Sequence, residues 1–308
     1  MKNFGLIGAA GYIAPRHMKA IRDTNNNLCV AADISDSVGV IDSYFPQASF
    51  FTETERFDRH IDKLRHTENK LDYLSVCTPN YLHDAHIRLG LRNDCDVICE
   101  KPLVVNYKNL RFIERLSQET NKNVYCILQL RLHEEIIKLK RRVEESPPNQ
   151  KFNIDLTYIT SRGLWYDYSW KADEAKSGGL LNNIGVHFFD MLMWIFGGVT
   201  NWTIERISPR TVCGTLSLER ATVRWFLSYD RGQLPTEAIE AGKRTYRSIK
   251  IEGKELEFSD GFTELHTKSY EKILKGEGYT IKDVKPSIKL ITNLRKELQN
   301  EKRNKHLC

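Results

Sequence analysis

Five short apolar runs punctuate the first 127 residues: Phe4 to Ile7, Leu28 to Ala32, Leu71 to Cys77, Asp96 to Cys99 and Val124 to Leu128. Helical patterns such as Tyr81 to Arg92 and Tyr107 to Thr120 fill the gaps. Strand-length runs that alternate with helix-length segments form βαβ units, and they predict a parallel sheet covered on both faces. After a helical stretch from Arg131 to Glu145, Ser146-Pro147-Pro148-Asn149 breaks this rhythm. Longer alternating segments follow, at 153–160, 200–207, 211–217, 221–229 and 248–252, which suit an antiparallel sheet with one packed face. Among them lies one strongly apolar helix, about Ile184 to Phe196, stopped by Gly197-Gly198. The expected fold is α/β: an N-terminal Rossmann domain over 1–127, then a C-terminal α+β domain over 128–308 on a mostly antiparallel open sheet.

Composition narrows the class. A chain of 308 residues is long enough for two cores, and 41% hydrophobic with 28% charged residues is a globular balance. No run of 18 apolar residues occurs, and Met1-Lys2-Asn3 leads straight into a motif-bearing strand. Neither a membrane span nor a secretion signal is therefore expected, and a cytoplasmic location is. The net charge of +6 owes much to Lys296, Lys302, Arg303, Lys305 and His306, read as a solvated helix end rather than a nucleic-acid surface. Seven cysteines without CxxC pairs (Cys29, Cys77, Cys95, Cys99, Cys126, Cys213, Cys308) read as buried, reduced and inert.

Directly after the first strand, Gly8-Ala9-Ala10-Gly11-Tyr12-Ile13-Ala14 is a glycine-rich turn that opens a helix. Such glycines let backbone N–H groups and the helix start approach a pyrophosphate. Asp33, 25 residues after Gly8 at the end of the second strand, is placed to bond the hydroxyls of an adenosine ribose. No Arg or Lys follows in Ile34-Ser35-Asp36-Ser37, so a 2′-phosphate would meet uncompensated negative charge. NAD is the expected cofactor. Two more loops, Cys77-Thr78-Pro79-Asn80-Tyr81-Leu82-His83 and Cys99-Glu100-Lys101-Pro102, fall at strand carboxyl ends, where open α/β sheets bind ligands.

Gly8 to Ala14, Thr78-Pro79-Asn80 with His83, Glu100-Lys101-Pro102, and Gly178-Gly179 leading to Asn183-Ile184-Gly185-Val186-His187 with Asp190 resemble the glucose-fructose oxidoreductase/inositol dehydrogenase/MocA family. The resemblance spans essentially the whole chain. Gly8 to His17, Leu156 to Gly163 with Trp165-Tyr166, and Asn182 to Phe188 are similar to the branch that oxidises UDP-N-acetyl-glucosaminuronic acid at C3′. This likeness implies a cytoplasmic, homotetrameric NAD enzyme of bacterial surface-polysaccharide (lipopolysaccharide, O-antigen) biosynthesis, with a UDP-linked uronic acid sugar as partner and 2-oxoglutarate as recycling oxidant. It implies cofactor contacts from Gly8, Gly11, Tyr12, Ile13, Asp33, Ser37, Thr78, Pro79, Asn80, His83, Glu100, Lys101 and Gln129.

Oxidising a secondary alcohol needs a base for the hydroxyl proton and a donor or cation at the oxygen. Lys101 and His187 are the candidates, and the sequence leaves open which is the base. His187 is placed in the first turn of the apolar helix, where the helix dipole keeps the ring neutral, although Asp190 one turn later acts the other way. Where cyclitol and sugar dehydrogenases of the family usually carry Asp four residues before this histidine, the chain has Asn183, which removes a negative charge. Arg131 and Arg162 suit carboxylate or phosphate, and with Trp165, Tyr166, Asn183, Lys101 and His187 they make up the expected substrate set. His83 and His86 lack a third ligand at suitable spacing, so no metal is expected. A dehydrogenase of a free cyclitol or sugar, and a non-catalytic NAD-binding regulator, are the alternatives.

Overall fold

The computed structural model describes residues 1–256, 262 and 264–305, with side chains described through 300. Cys308 and His306, and the side chains of Lys302, Arg303 and Lys305, lie outside what is described.

Six strands, β1 (Asn3–Ile7), β2 (Asn27–Ala32), β3 (Ser49–Phe51), β4 (Tyr73–Val76), β5 (Asp96–Cys99) and β6 (Val124–Cys126), form one sheet in the order β3-β2-β1-β4-β5-β6. Every pairing in it is parallel. This is the order of a dinucleotide-binding sheet, with its reversal between β1 and β4. Helices α1 (Ala14–Asp23), α2 (Thr54–Arg65), α3 (His83–Arg92) and α4 (Tyr107–Thr120) make the crossovers. Four residues each of β1 and β4 are buried, which is why these strands read as continuous apolar runs rather than alternating ones.

The second sheet is built from β7 (Phe152–Thr160), β8 (Val199–Ser208), β9 (Thr211–Leu218), β10 (Ala221–Ser228), β11 (Thr245–Ile251) and β12 (Lys254–Glu255), in the order β12-β11-β7-β10-β9-β8. It is antiparallel except for the β7·β10 pair, which is parallel. Buried and solvated residues alternate along the first five positions of β10, as a sheet with one packed face requires. Its core side holds Trp225, Phe189 and Phe196 with residues of α5 (Glu134–Glu145), α8 (Val186–Phe196) and α11 (Ile281–Lys305). Short helices α6 (Trp165–Tyr168), α7 (Glu174–Ser177) and α9 (Thr236–Glu240) lie in the connections, and α10 (Leu265–Leu274) precedes α11.

The chain divides into two compact units, Met1–Gln129 with Thr263–Lys285, and Leu130–Phe262 with Pro286–Cys308. The sequence pattern assigns everything after residue 127 to the second half, whereas α10 packs with the first. Its Tyr270 and Ile273 are buried in the same apolar cluster as Phe4, Met18 and Ile21. Among the described residues, no helix is long and apolar enough to cross a membrane.

Candidate active site

In the first unit, β1 ends at a turn where Gly8 takes φ +95°. A Cβ there would lie 2.6 Å from the backbone of Cys77 and Thr78, so only glycine lets the turn rest against the loop after β4. The Gly8 and Ala9 amides both donate to Ala32 O, which joins the turn to the end of β2. Asp33 braces it from the same side, with Oδ2 accepting from the Ala10 amide (2.9 Å) and Oδ1 from that of Ser35 (2.9 Å). The Ser37 amide donates to Ser35 Oγ (3.2 Å), Tyr12 is exposed, and Ile13 leads into α1 without a side-chain cap. The Ala14 amide donates to Gly11 O and that of Arg16 to Ile13 O, with Pro15 between them, so the positive end of the helix rather than its first amides faces a phosphate. On the far edge, Gln129 has a buried Oε1 with no hydrogen-bond partner, an acceptor suited to a bound amide.

Two candidates on the later loops serve the loops themselves. His83 is buried, with Nδ1 2.7 Å from Pro102 O and Nε2 2.8 Å from Thr78 O. It ties the Thr78-Pro79-Asn80 loop to the Lys101-Pro102 loop instead of offering its ring nitrogens to a cofactor. Burial holds its pKa down, so the neutral ring donates to one carbonyl at a time. Thr78 Oγ1 pairs with His86 Nδ1 (2.9 Å), Pro79 is half-buried, and Asn80 is buried at the start of a single 3₁₀ turn.

Glu100 also faces inward. Its Oε1 accepts from Nε2 of His17 (3.0 Å) and of His266 (2.9 Å), and its Oε2 from the Lys101 amide (3.2 Å). His17 Nδ1 meets Tyr270 OH (2.8 Å), which meets Ser75 Oγ (2.7 Å). One proton assignment satisfies the chain: Ser75 donates to Tyr270, Tyr270 to His17 Nδ1, and both imidazole Nε2–H groups to an ionised Glu100. Burial alone would raise the Glu100 pKa, but the bonds from His17 and His266 win and hold it well below the usual range. The ligating atoms of His17, Glu100 and His266 lie within 4.8 Å of one another, a spacing that admits a divalent ion only if both N–H···O bonds are lost. The signal for this network was present in the sequence. His17 sits on the buried stripe of α1 with Ala14, Met18 and Ile21, and a polar residue there needs a buried partner.

These groups contribute to the acid stability of the unit. His17 and His83 titrate below 6.5 in the folded chain, and burial lowers His86 to about 4. As pH falls past about 6.5 the unfolded chain takes up protons that the folded chain refuses, so stability drops, and below about 4.5 protonation of Glu100 in the unfolded chain adds to the loss. The melting temperature is expected to fall steadily from about pH 7 to about pH 4, the loss beginning with the histidines. A flat profile over that interval would show these rings charged in the folded protein.

In the second unit, His187 is half-buried near the start of α8, but the helical path begins earlier. Leu180 already has helical dihedrals, and residues Leu181–Gly185 form a π-helical turn that runs into α8. His187 therefore lies about two turns inside the helix, beyond the reach of its N-terminal dipole, which corrects the first-turn placement. Asp190 does not act against it as a bare charge either. Arg131, expected to bind substrate, is buried and clamps Asp190 through Nε and Nη2, both at 2.8 Å. Its fork is engaged inside the protein.

Asn183, on the π turn, donates through Nδ2 to Lys171 O (3.1 Å) and Tyr166 OH (3.3 Å), so those amide hydrogens organise the loop rather than a sugar hydroxyl. Gly178, at φ +81°, is where a Cβ would strike the Asn182 side chain, so the Gly178-Gly179 pair lets the segment fold tightly onto the π turn. Tyr166 is buried, Trp165 is exposed with its ring 5.7 Å from that of Tyr166, and Arg162 is exposed on the loop after β7. Sequence reasoning missed Lys171, which lies half-buried against Trp165 and Trp170. Cys77, Cys95, Cys99 and Cys126 are buried thiols, with Cys95 pushed up to about 12 by desolvation, whereas Cys29 and Cys213 are only half-buried.

A Rossmann sheet whose glycine turn opens an uncapped helix, joined in one chain to a mixed-sheet unit carrying a histidine on a π-interrupted helix, defines a dinucleotide-dependent oxidoreductase. The chain belongs to the oxidoreductase family whose NAD-binding Rossmann fold matches residues 2–127 and whose C-terminal alpha/beta domain matches residues 150–303. It is 44% identical to the WlbA (WbpB) dehydrogenase of Thermus thermophilus crystallised with NAD and UDP-GlcNAcA, with 96% of this chain and 95% of that one covered at a TM-score of 0.92. A structure of the Thermus thermophilus WlbA (WbpB) dehydrogenase with NAD and alpha-ketoglutarate is 45% identical, with the same coverage and TM-score. Glucose-6-phosphate 3-dehydrogenase of Bacillus subtilis is 24% identical over 205 residues, a match to 64% of this chain and about half (54%) of that relative.

Proposed function

We propose that the protein oxidises the C3′ hydroxyl of UDP-N-acetyl-glucosaminuronic acid (UDP-GlcNAcA) to the 3-keto sugar with NAD, on the way to an acetamido-uronic acid sugar of a bacterial surface polysaccharide. The observation that carries this is the 44% identity, across nearly the full length of both chains, to a dehydrogenase crystallised with NAD and UDP-GlcNAcA. When bound, NAD supplies the acceptor for the hydride that leaves C3′. The Gly8–Gly11 turn and the start of α1 take its pyrophosphate, Asp33 its adenosine ribose, and Gln129 Oε1 remains as an acceptor for an amide.

Lys101 and His187 are assigned to the sugar hydroxyl. Lys101 follows directly on the ionised Glu100 and is assigned as the cationic donor that stabilises the developing alkoxide. His187 is assigned as the base, as the half-buried imidazole on the helix whose Asp190 charge is matched by Arg131. Reduction of a keto acid such as 2-oxoglutarate to its hydroxy acid would return the nicotinamide to NAD, a reading supported by the relative crystallised with alpha-ketoglutarate.

The test is incubation with NAD, UDP-GlcNAcA and 2-oxoglutarate, with the sugar product weighed by mass spectrometry. A loss of two hydrogens from the sugar nucleotide, matched by 2-hydroxyglutarate, is the expected result. Turnover of inositol or a free sugar, with UDP-GlcNAcA untouched, would overturn the reading.

A further inference from the structure

The cations around the second unit's site are not alike. Arg206 Nη2 takes Glu174 (2.7 Å), Arg210 takes Asp167, and Arg295 Nη2 takes the carbonyl oxygen of Glu174 (3.0 Å). Lys171 and Arg162, among the described residues, have no carboxylate within ion-pair distance.

Lys171 is nonetheless held in place. Its Nζ stands 5.5 Å from the ring centre of Trp165 and 5.8 Å from that of Trp170, and its carbonyl is fixed by Asn183. Burial, and then the positive field of Arg162, lower its pKa, as for an ammonium beside a second cation with no counter-ion at hand. Two indole faces orient a cation without neutralising it. A surface lysine normally keeps its ammonium in water; this one is half-buried, so the site pays for a charge that no carboxylate among the described residues pairs with.

We propose that Lys171, with Arg162, forms the subsite that receives the carboxylate of the sugar. The proposal rests on the sugar-nucleotide reading above and adds the residue that separates an acidic from a neutral sugar. The chemistry to be recognised is an oxyanion, and the substrate has two sources of it, the uronate and the diphosphate. The uronate is favoured because Asn183, which holds the Lys171 carbonyl, lies one turn before His187 on the same helical path, next to the group assigned to the reacting sugar. Arg162, on the loop after β7, supplies a second and planar donor set.

The test compares wild type, Lys171→Met and Lys171→Arg, each loaded with NAD, by calorimetric binding of UDP-GlcNAcA and of UDP-GlcNAc, which keeps the diphosphate and lacks the carboxylate. Wild type is expected to favour the acid, Lys171→Met to weaken acid binding about 10- to 100-fold while leaving UDP-GlcNAc within about twofold, and Lys171→Arg to restore most of the preference. Equal weakening for both nucleotides would move the cation to the diphosphate and overturn the proposal. So would unchanged binding of both, or a wild type with no preference for the acid. NAD affinity and melting temperature, measured alongside, identify a variant that has simply lost its fold, in which case Lys171→Gln carries the same comparison. Because the readout is binding, it separates the two readings: acid preference without oxidation retires the proposed reaction and keeps the subsite, and oxidation without acid preference does the reverse.

Discussion

Replacing Lys101 by methionine is expected to lower turnover of UDP-GlcNAcA by about 10²- to 10⁴-fold. Methionine keeps most of the side chain's length and removes the ammonium, while the loop's backbone is tied down by bonds that do not involve it. The Lys101 amide is held by Glu100 Oε2, the Glu100 amide by Val76 O, and Pro102 O lies against the His83 ring. The backbone should therefore stay in place while the alkoxide loses its cationic partner. His187→Gln should cost a similar factor but differ in form, because it removes the group assigned to take the proton: the acid limb of the pH–rate profile should vanish in that variant and persist in what remains of Lys101→Met. Should the acid limb instead disappear with Lys101, the two roles are exchanged.

The second large effect is on stability. Arg131→Ala is expected to destabilise the second unit by about 3–5 kcal/mol, because it strands the buried Asp190 carboxylate without its bidentate partner. In a unit of this size such a change lowers the melting temperature by roughly 10 °C. Removing both charges together, as in Arg131→Met with Asp190→Leu, should recover most of that loss, since a buried pair is commonly replaceable by apolar groups of similar volume. A residue that bound substrate would behave otherwise. A raised KM with an unchanged melting temperature would return Arg131 to the substrate set.

Arg131 shows where sequence reading reaches its limit. An arginine near a strand end looks like a ligand for an external anion, and its actual partner is 59 residues away, on a helix whose orientation no local pattern gives. Glu100 and His83 follow the same logic. Both lie in loops that the sequence places at strand carboxyl ends, yet their side chains turn inward to hold the loops that Lys101 and Thr78 occupy. The sheets were legible because burial imposes period: continuous apolar runs where both faces are covered, alternation where one is. β3 was not, since three residues at a sheet edge leave too little pattern. The π turn was hidden too, because Leu181–Gly185 satisfies a helical pattern as well as an ordinary turn would, and it shifts the start of the helical path away from His187. Lys171 escaped for another reason. Its signal is a pair of indoles that flank it only once the loop is folded.

The return of α10 to the nucleotide unit bears on how the chain comes to be assembled. Tyr270 and His266 complete a polar chain whose other members, Ser75, His17 and Glu100, lie within the first hundred residues. During vectorial synthesis on the ribosome those earlier residues emerge long before their partners. Until the later helix arrives, a carboxylate and an imidazole destined for a dry interior have only water to satisfy them. The unit begun first is thus sealed only once α10 has been made, and possession of a finished nucleotide pocket is tied to delivery of nearly the entire polypeptide.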